Sequence, residues 1–254
     1  MAPSNAVVRI QRFPVKGLGP EDLRSVDLTP GEGLPEDRRF AIAHDPAGFD
    51  RDNPAWLPKT HFLMLARNEK LAALETQYDA AEQTLTILRH GRQVARGRLT
   101  TALGRAVIED FFSAYMKGDT RGKPTVMEAP GHMFSDLRDK VVSLINLETL
   151  RDLERVTRQP VDPLRFRGNI IFDGHPAWRE FDWVDRDITI GEVTLRGIKR
   201  IERCAATTVN PETAERDLNI PKALKMGFGH TDCGLYARVT GGGTLRLGNA
   251  LTVD

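Results

Sequence analysis

The sequence predicts a mostly β protein with a few helices, an α+β chain. Two observations lead there. Short runs rich in Val, Ile, Phe and Thr recur along the chain, several with the polar–apolar alternation of a half-buried strand. Gly- and Pro-rich turns separate these runs at short intervals, as in a small sheet or barrel, and only two or three stretches place apolar residues at helical spacing.

Taken in order, Ala6 to Phe13 (AVVRIQRF) alternates and reads as a strand, interrupted by Pro14-Val15-Lys16-Gly17. Leu23–Leu28 alternates again, and a third strand is expected over 37–43, DRRFAIA. Residues 45–60, with Pro46, Gly48, Pro54 and Pro58, read as an exposed loop. The β pattern resumes over 62–65, 71–78, 84–88 and 93–99. Leu103, Val107, Phe111 and Tyr115 then recur at helical spacing over 101–117, behind a Thr100 or Thr101 N-cap. Residues 118–131, rich in Gly, Pro and charge, are the expected boundary between a first unit (1–118) and a second (119–254).

The second unit opens with a buried-looking strand over 141–147 and a short amphipathic helix over 147–156. In 164–174, RFRGNIIFDG follows Leu164; Arg165, Arg167 and Asn169 share a strand parity and are expected on one face. Two β runs flank Gly191 and lead to Cys204, and Asn210-Pro211 marks a turn beyond it. Strands over 234–239 and 244–248 follow, with the glycines at 241–243 read as a hairpin turn.

Composition bounds the function. The 254 residues are 40% hydrophobic and 28% charged, which suits a globular chain with a sizeable core. A net charge of +1 gives no strong pull toward nucleic acid or anionic membranes, so neither is expected as a partner. The start of the chain lacks the pattern of a signal peptide, and no run reaches the roughly 18 apolar residues of a membrane span. A cytoplasmic location is expected. Two cysteines fit a reducing compartment, and nothing favours a bridge between Cys204 and Cys233.

Cys204 sits near a strand end with Lys199, Arg200 and Arg203 close in sequence. Neighbouring cations favour the thiolate, which serves as a nucleophile or soft-metal ligand. A small buried hydrophobe is the commoner fate of a free cysteine, and both readings stand on spacing alone. Lys16, Arg38, Arg39, Arg165 and Arg167 sit at strand ends or share a face; converging near Cys204, they would form a cationic pocket for an anion. His230, Asp232 and Cys233 match no standard zinc spacing. Dinucleotide, Walker, GxSxG and HExxH signatures are absent.

The ordered set FPVKG, DRRFAI, FSD, VVSLINLETLRDLE, RFRGNIIFDG, EFDW, IGEV, RCAATTVNPET, DCGLY and LRLGN spans nearly the whole chain. It resembles MOSC-domain proteins with their N-terminal β-barrel partner, relatives of the molybdenum cofactor sulfurase C-terminal domain and of the amidoxime-reducing components. The resemblance implies a β-barrel-like N-terminal domain packed on a β-barrel MOSC domain. It also implies molybdenum–molybdopterin as cofactor, with Cys204 as the protein's metal ligand. By motif matching, Lys16, Arg38 and Arg167 would meet the pterin phosphate, with Gly17, Asp136, Asn169, Arg203 and Tyr236 close to the cofactor. Gly17 stands where relatives commonly carry serine, and Glu202 where they carry a small hydroxyl residue. The loop from Trp56 to His61 lies outside the pattern of that resemblance; Lys59 and His61 are candidate catalytic groups on the substrate side, with a plain surface loop as the alternative.

The implied activity is two-electron reduction of N-hydroxylated small molecules, such as amidoximes or hydroxylamino-purines. Two cysteines cannot build a four-cysteine cluster, so a separate electron-donor protein is expected. The alternative is a cofactor carrier, or sulfur transfer through a Cys204 persulfide. A pyridoxal phosphate enzyme would need a Schiff-base lysine, for which Lys16 and Lys59 alone look placed.

Overall fold

The structure is a computed structural model and describes residues 5–44, 57–129, 131 and 133–254. The chain opens with β1 (Ala6–Arg12), β2 (Glu21–Leu23), β3 (Ser25–Leu28) and β4 (Phe40–Ala43). A meander, β5 (Glu75–Asp79), β6 (Thr84–Arg89) and β7 (Arg92–Arg98), leads into α1 (Ala102–Tyr115) and β8 (Thr125–Glu128). Then come β9 (Val142–Asn146), α2 (Leu147–Thr157), β10 (Ile170–Asp173), β11 (Asp187–Ile190) and β12 (Val193–Glu202). The chain finishes with α3 (Ile220–Phe228), β13 (Asp232–Gly241), β14 (Gly243–Arg246) and β15 (Leu251–Val253). The mostly β, α+β class expected from the sequence is what the chain adopts.

Eight strands form the main sheet, in the order β15-β11-β12-β13-β9-β10-β1-β2. Its two sides meet: Val7 N–H donates to Asn249 O (3.0 Å), Gly248 N–H to Val7 O (2.8 Å) and Leu251 N–H to Asn5 O (2.8 Å). This contact curls the sheet into a barrel, which removes most of its free edge. Val7, Ile10, Leu144, Ile170, Phe172 and Leu235 fill it. A second core gathers Phe40, Ile42, Leu71, Leu85, Ile87 and Phe112 beneath the meander and α1.

Small sheets join the first and last parts of the chain. β3 pairs with β14, and β4 with β8. The glycines at 241–243 therefore do not close a hairpin between neighbours; they pass the chain from the main sheet to β3. β8 lies in the stretch read as a boundary loop.

Other differences have local causes. The strand expected from Asp37 begins only at Phe40, because Arg38 is left-handed (φ 49) and takes Asp37–Arg39 out of the ladder. Residues 23–28 divide at Arg24, residues 62–65 make one bridge (Ala43–Phe62), and Glu69–Ala73 is a 3-10 turn ahead of β5. On α1 the buried face is Gly104, Ile108 and Phe112; Leu103 is 79% exposed and Val107 40%. The close fit of Gly104 against the Arg98 backbone sets this rotation, since a Cβ there would lie 2.1 Å from Arg98 O. Most of the loop expected over 45–60 lies outside the described residues.

Candidate functional site

Pro163-Leu-Arg-Phe166 forms a 3-10 turn, because Pro163 presets the first position and Asp162 accepts the Leu164 N–H at 2.8 Å. Arg165, Arg167 and Asn169 are therefore not displayed by strand parity. Arg165 turns to Asp217 (2.8 and 2.9 Å) and the Thr208 carbonyl (3.3 Å). Arg167 ends the turn in the left-handed region (φ 52) and donates to Leu18 O at 2.6 Å. Asn169 spends its amide on the wall: Oδ1 accepts from Ser143 N (3.1 Å) and Oγ (2.8 Å), and Nδ2 donates to Gln11 O (3.1 Å).

Arg38 meets Arg167 from the other side. Its Nη2 donates to the Arg167 carbonyl at 2.9 Å, and its Nη1 pairs with Asp37. Asp37 in turn accepts the Phe13 N–H at 2.7 Å. Both guanidiniums pack on the Phe13 ring, Arg38 at 4.7 Å and Arg167 at 4.2 Å from its centroid. Both arginines hold left-handed backbones, at about 1–2 kcal/mol each. Such strain concentrates at sites the surrounding fold over-determines.

Lys16 enters from the loop after β1. Its ammonium bonds Asp136 Oδ1 (2.8 Å) and Phe134 O (2.9 Å). Burial lowers its pKa; Asp136 opposes the shift, and Arg38 and Arg167 add to it. Lys59 reaches the other Asp136 oxygen at 3.3 Å. Burial works against its charge, but Asp136 and the Cys204 sulfur outweigh burial and hold its amine above the ordinary value. Burial would raise the Asp136 pKa; the two lysines reverse this and hold the carboxylate well below its usual range. Burial lowers the Arg167 guanidinium to about 9, with Arg38 adding to the effect, and it remains charged at neutrality.

Cys204 stands two residues beyond the end of β12. Its extended backbone (φ −117, ψ 179) caps the 3-10 turn Ala205–Thr208, and its carbonyl accepts Thr207 N (3.1 Å) and Oγ1 (2.9 Å). The residue is half-buried and its thiol free. Arg203 beside it donates to Cys233 O (2.7 Å) and Phe166 O (3.0 Å). Gly234 makes room for that guanidinium: a Cβ there would sit 3.1 Å from Arg203 Nη2. Tyr236 lies across the sheet from Ser143, and burial raises its phenol pKa. Cys233 is fully buried, which pushes its thiol up to about 12.

These groups line one open cleft of about 780 Å³. Lys16, Gly17, Arg38, Asp136, Arg167, Asn169, Arg203, Cys204 and Tyr236 all border it, and Lys59 joins through Asp136. His61 does not line the cleft; its carbonyl accepts the His44 N–H at 3.1 Å. Sequence reading missed Phe13, Met133, Ser143 and Phe166. Phe13 stands in the FPVKG motif, but its contact with two arginines depends on a pairing 129 residues apart in sequence.

Arg167 and Arg203 are held by backbone carbonyls and make no ion pair with a carboxylate among the described residues. The cleft is thus cationic in excess of its acids. No group of three or more His, Cys, Asp or Glu among the described residues could hold a metal ion. One half-exposed thiol beside half-buried cations suits an anionic group whose metal brings its own ligands.

Comparison with known proteins places the chain. Residues 117–252 match the MOSC domain, and residues 4–137 match the MOSC N-terminal beta barrel domain. The chain belongs to the MOSC-domain family. MOSC domains are associated with molybdenum cofactor binding. Mitochondrial amidoxime-reducing component 1 of Mus musculus is 27% identical over 113 residues, 40% of this chain and 33% of its own length. Mitochondrial amidoxime reducing component 2 of Rattus norvegicus is 28% identical over 120 residues, 42% of this chain and 35% of its own. The MOSC chain thus spans about a third of the length of these curated relatives. Among solved structures, the YUAD protein of Bacillus subtilis superposes with a TM-score of 0.47 at 11% identity, over 98% of this chain and 94% of its own. YiiM from Geobacillus stearothermophilus gives 0.35 at 19% identity, over 44% and 53%. No helix among the described residues is long and apolar enough to cross a membrane.

Proposed function

We propose that this chain binds the molybdenum cofactor in the cleft, with Cys204 as the protein's sulfur ligand to molybdenum, and that the loaded protein reduces N-hydroxylated small molecules. One observation carries the reading: among the described residues, the half-buried Arg167 and Arg203 make no ion pair with a carboxylate, in a cleft whose thiol, Cys204, is half-exposed. A phosphate on a pterin supplies the missing anion, and a thiolate suits a soft, sulfur-ligated metal.

Lys16, Arg38 and Arg167 would hold the phosphate. Asn169 serves as a brace, since its amide already ties β9 to β1. Arg203 and Tyr236 would border the cofactor beside Cys204. Lys59, held protonated by Asp136 and the Cys204 sulfur, is the proton donor on the open side. When bound, the cofactor supplies a two-electron redox centre. Converting an N-hydroxyl group to N–H takes two electrons and two protons and releases water. The electrons would come from a separate donor protein.

The test is elemental analysis of wild type and Cys204→Ala, purified from cells that make the cofactor. Near-stoichiometric molybdenum in wild type and its loss in the variant are expected. The loaded wild type should then reduce benzamidoxime with a chemical electron donor. Metal-free wild type from cofactor-replete cells would sink the proposal.

A further inference from the structure

A second, solvent-open groove adjoins the cationic cleft. The two share Gly17, Arg165, Arg167 and Ala206 as a common wall. Beyond that wall the lining is mostly apolar, with Leu18, Leu65, Leu71, Leu74, Val209 and Pro211; Glu75 and Thr76 are its polar members. The groove follows the seam between the N-terminal and MOSC modules, and Ala206 belongs to the turn immediately after Cys204.

The seam is fixed. Arg216 bridges it, donating to Ala205 O (3.0 Å) and Thr208 Oγ1 (2.9 Å) on one side. On the other side it reaches Leu65 O (3.1 Å) and Glu69 (3.0 Å). At the wall, Asp217 holds the Arg165 Nη2 and Leu18 O the Arg167 Nη1, so both guanidiniums are fixed in place. Against the groove's leucines, Val209 and Pro211 the hydrogen-bonding edge of a purine would leave polar atoms unpaired.

We propose that this groove binds the apolar body of the substrate and orients its N-hydroxyl group over the shared wall toward Cys204. The substrate class is aryl or alkyl N-hydroxylated compounds, such as amidoximes, in preference to hydroxylamino-purines. The identity of the reacting group rests on the function proposed above; the groove's preference for apolar bodies does not.

The test uses the full chain, with and without cofactor, and neutral N-phenyl-1-naphthylamine, whose fluorescence rises in apolar surroundings and which the cationic cleft does not attract. Saturable one-to-one binding is expected, weakened at least tenfold in Ala72→Phe, which fills the groove, and in Leu65→Gln, which makes its rim polar. Benzamidoxime should displace the probe and 6-hydroxylaminopurine should not. Molybdenum content in Ala72→Phe should equal that of wild type, which separates the groove from the cofactor site. Absence of saturable binding, or equal binding by wild type and both variants, would mean a packing seam that takes no ligand and would overturn the proposal. Equal displacement by the purine would overturn the preference. Probe binding as expected in a chain that never acquires molybdenum would leave the groove standing and remove the function proposed above.

Discussion

Gly17 shows how far single residues carry the argument. The resemblance marks it as a place where a serine hydroxyl is missing. The structure gives a backbone reason for the glycine: φ is +85, and a Cβ would lie 2.8 Å from Leu63 O. Gly17→Ser should therefore destabilise the chain by about 1–3 kcal/mol, read as a lower urea midpoint. An unchanged midpoint would show that the loop shifts freely. The grouping of the candidate site was legible because its members sit in short ordered motifs: all nine residues that the resemblance places near a cofactor border one cleft. What could not be read was how they are held. Arg167 owes its place to a 3-10 turn and a left-handed backbone, and Asn169 is consumed by Ser143 and Gln11. Strand parity carries no trace of either.

At the scale of elements, α1 shows where the reading of periodicity stops. Two sets of apolar residues share the helical spacing, one through Leu103 and Val107, the other through Ile108 and Phe112. Spacing alone does not choose between them; the contact of Gly104 with Arg98 does. Phe112→Ala should cost about 3–5 kcal/mol, whereas Leu103→Ala should stay within about 0.5 kcal/mol. Urea unfolding of both variants checks this, and the reverse order would put the other face inward. Glu180 gives a second case. It is fully buried and ties the end of β9 to α2, accepting from Asn146 Nδ2 (3.0 Å) and Thr149 Oγ1 (2.8 Å). Burial raises its pKa, and the hydrogen bonds only partly oppose the shift. A raised folded pKa means the native state holds this proton more tightly than the unfolded chain does. The stability it gives is complete below the unfolded value of about 4.3 and declines as pH rises through the folded value. Glu180→Gln has no such proton to lose. Its stability relative to wild type should improve as pH rises from about 4 toward neutrality, measured by urea unfolding across that range. A constant difference would mean the carboxyl titrates alike in both states.

At the scale of the whole molecule, we keep a division at residue 118 as a proposal about sequence modules, and strands are exchanged across it. β1 pairs with β10, β3 with β14 and β4 with β8. Lys16 bonds Phe134 O and Asp136, and Arg216 bonds Glu69. These long-range pairings were the least legible part of the fold. Each strand was visible as a run of apolar residues, but nothing local says that β14 will leave β13 for a partner more than two hundred residues earlier, or that β8 exists within a Gly- and Pro-rich stretch. The cleft inherits the exchange: Lys16, Arg38 and Lys59 come from one module, Arg167, Arg203 and Cys204 from the other. Unfolding either module would break ladders in both, so the chain should lose structure as one cooperative unit. Hydrogen exchange read by mass spectrometry along a urea series makes this visible. Amides of β6, wholly within the first module, and of β12, wholly within the second, should lose protection at the same urea concentration. Loss of β6 protection well before that of β12 would show that the meander and α1 unfold on their own, and the cleft would then depend on a module able to part from the barrel that carries its cysteine.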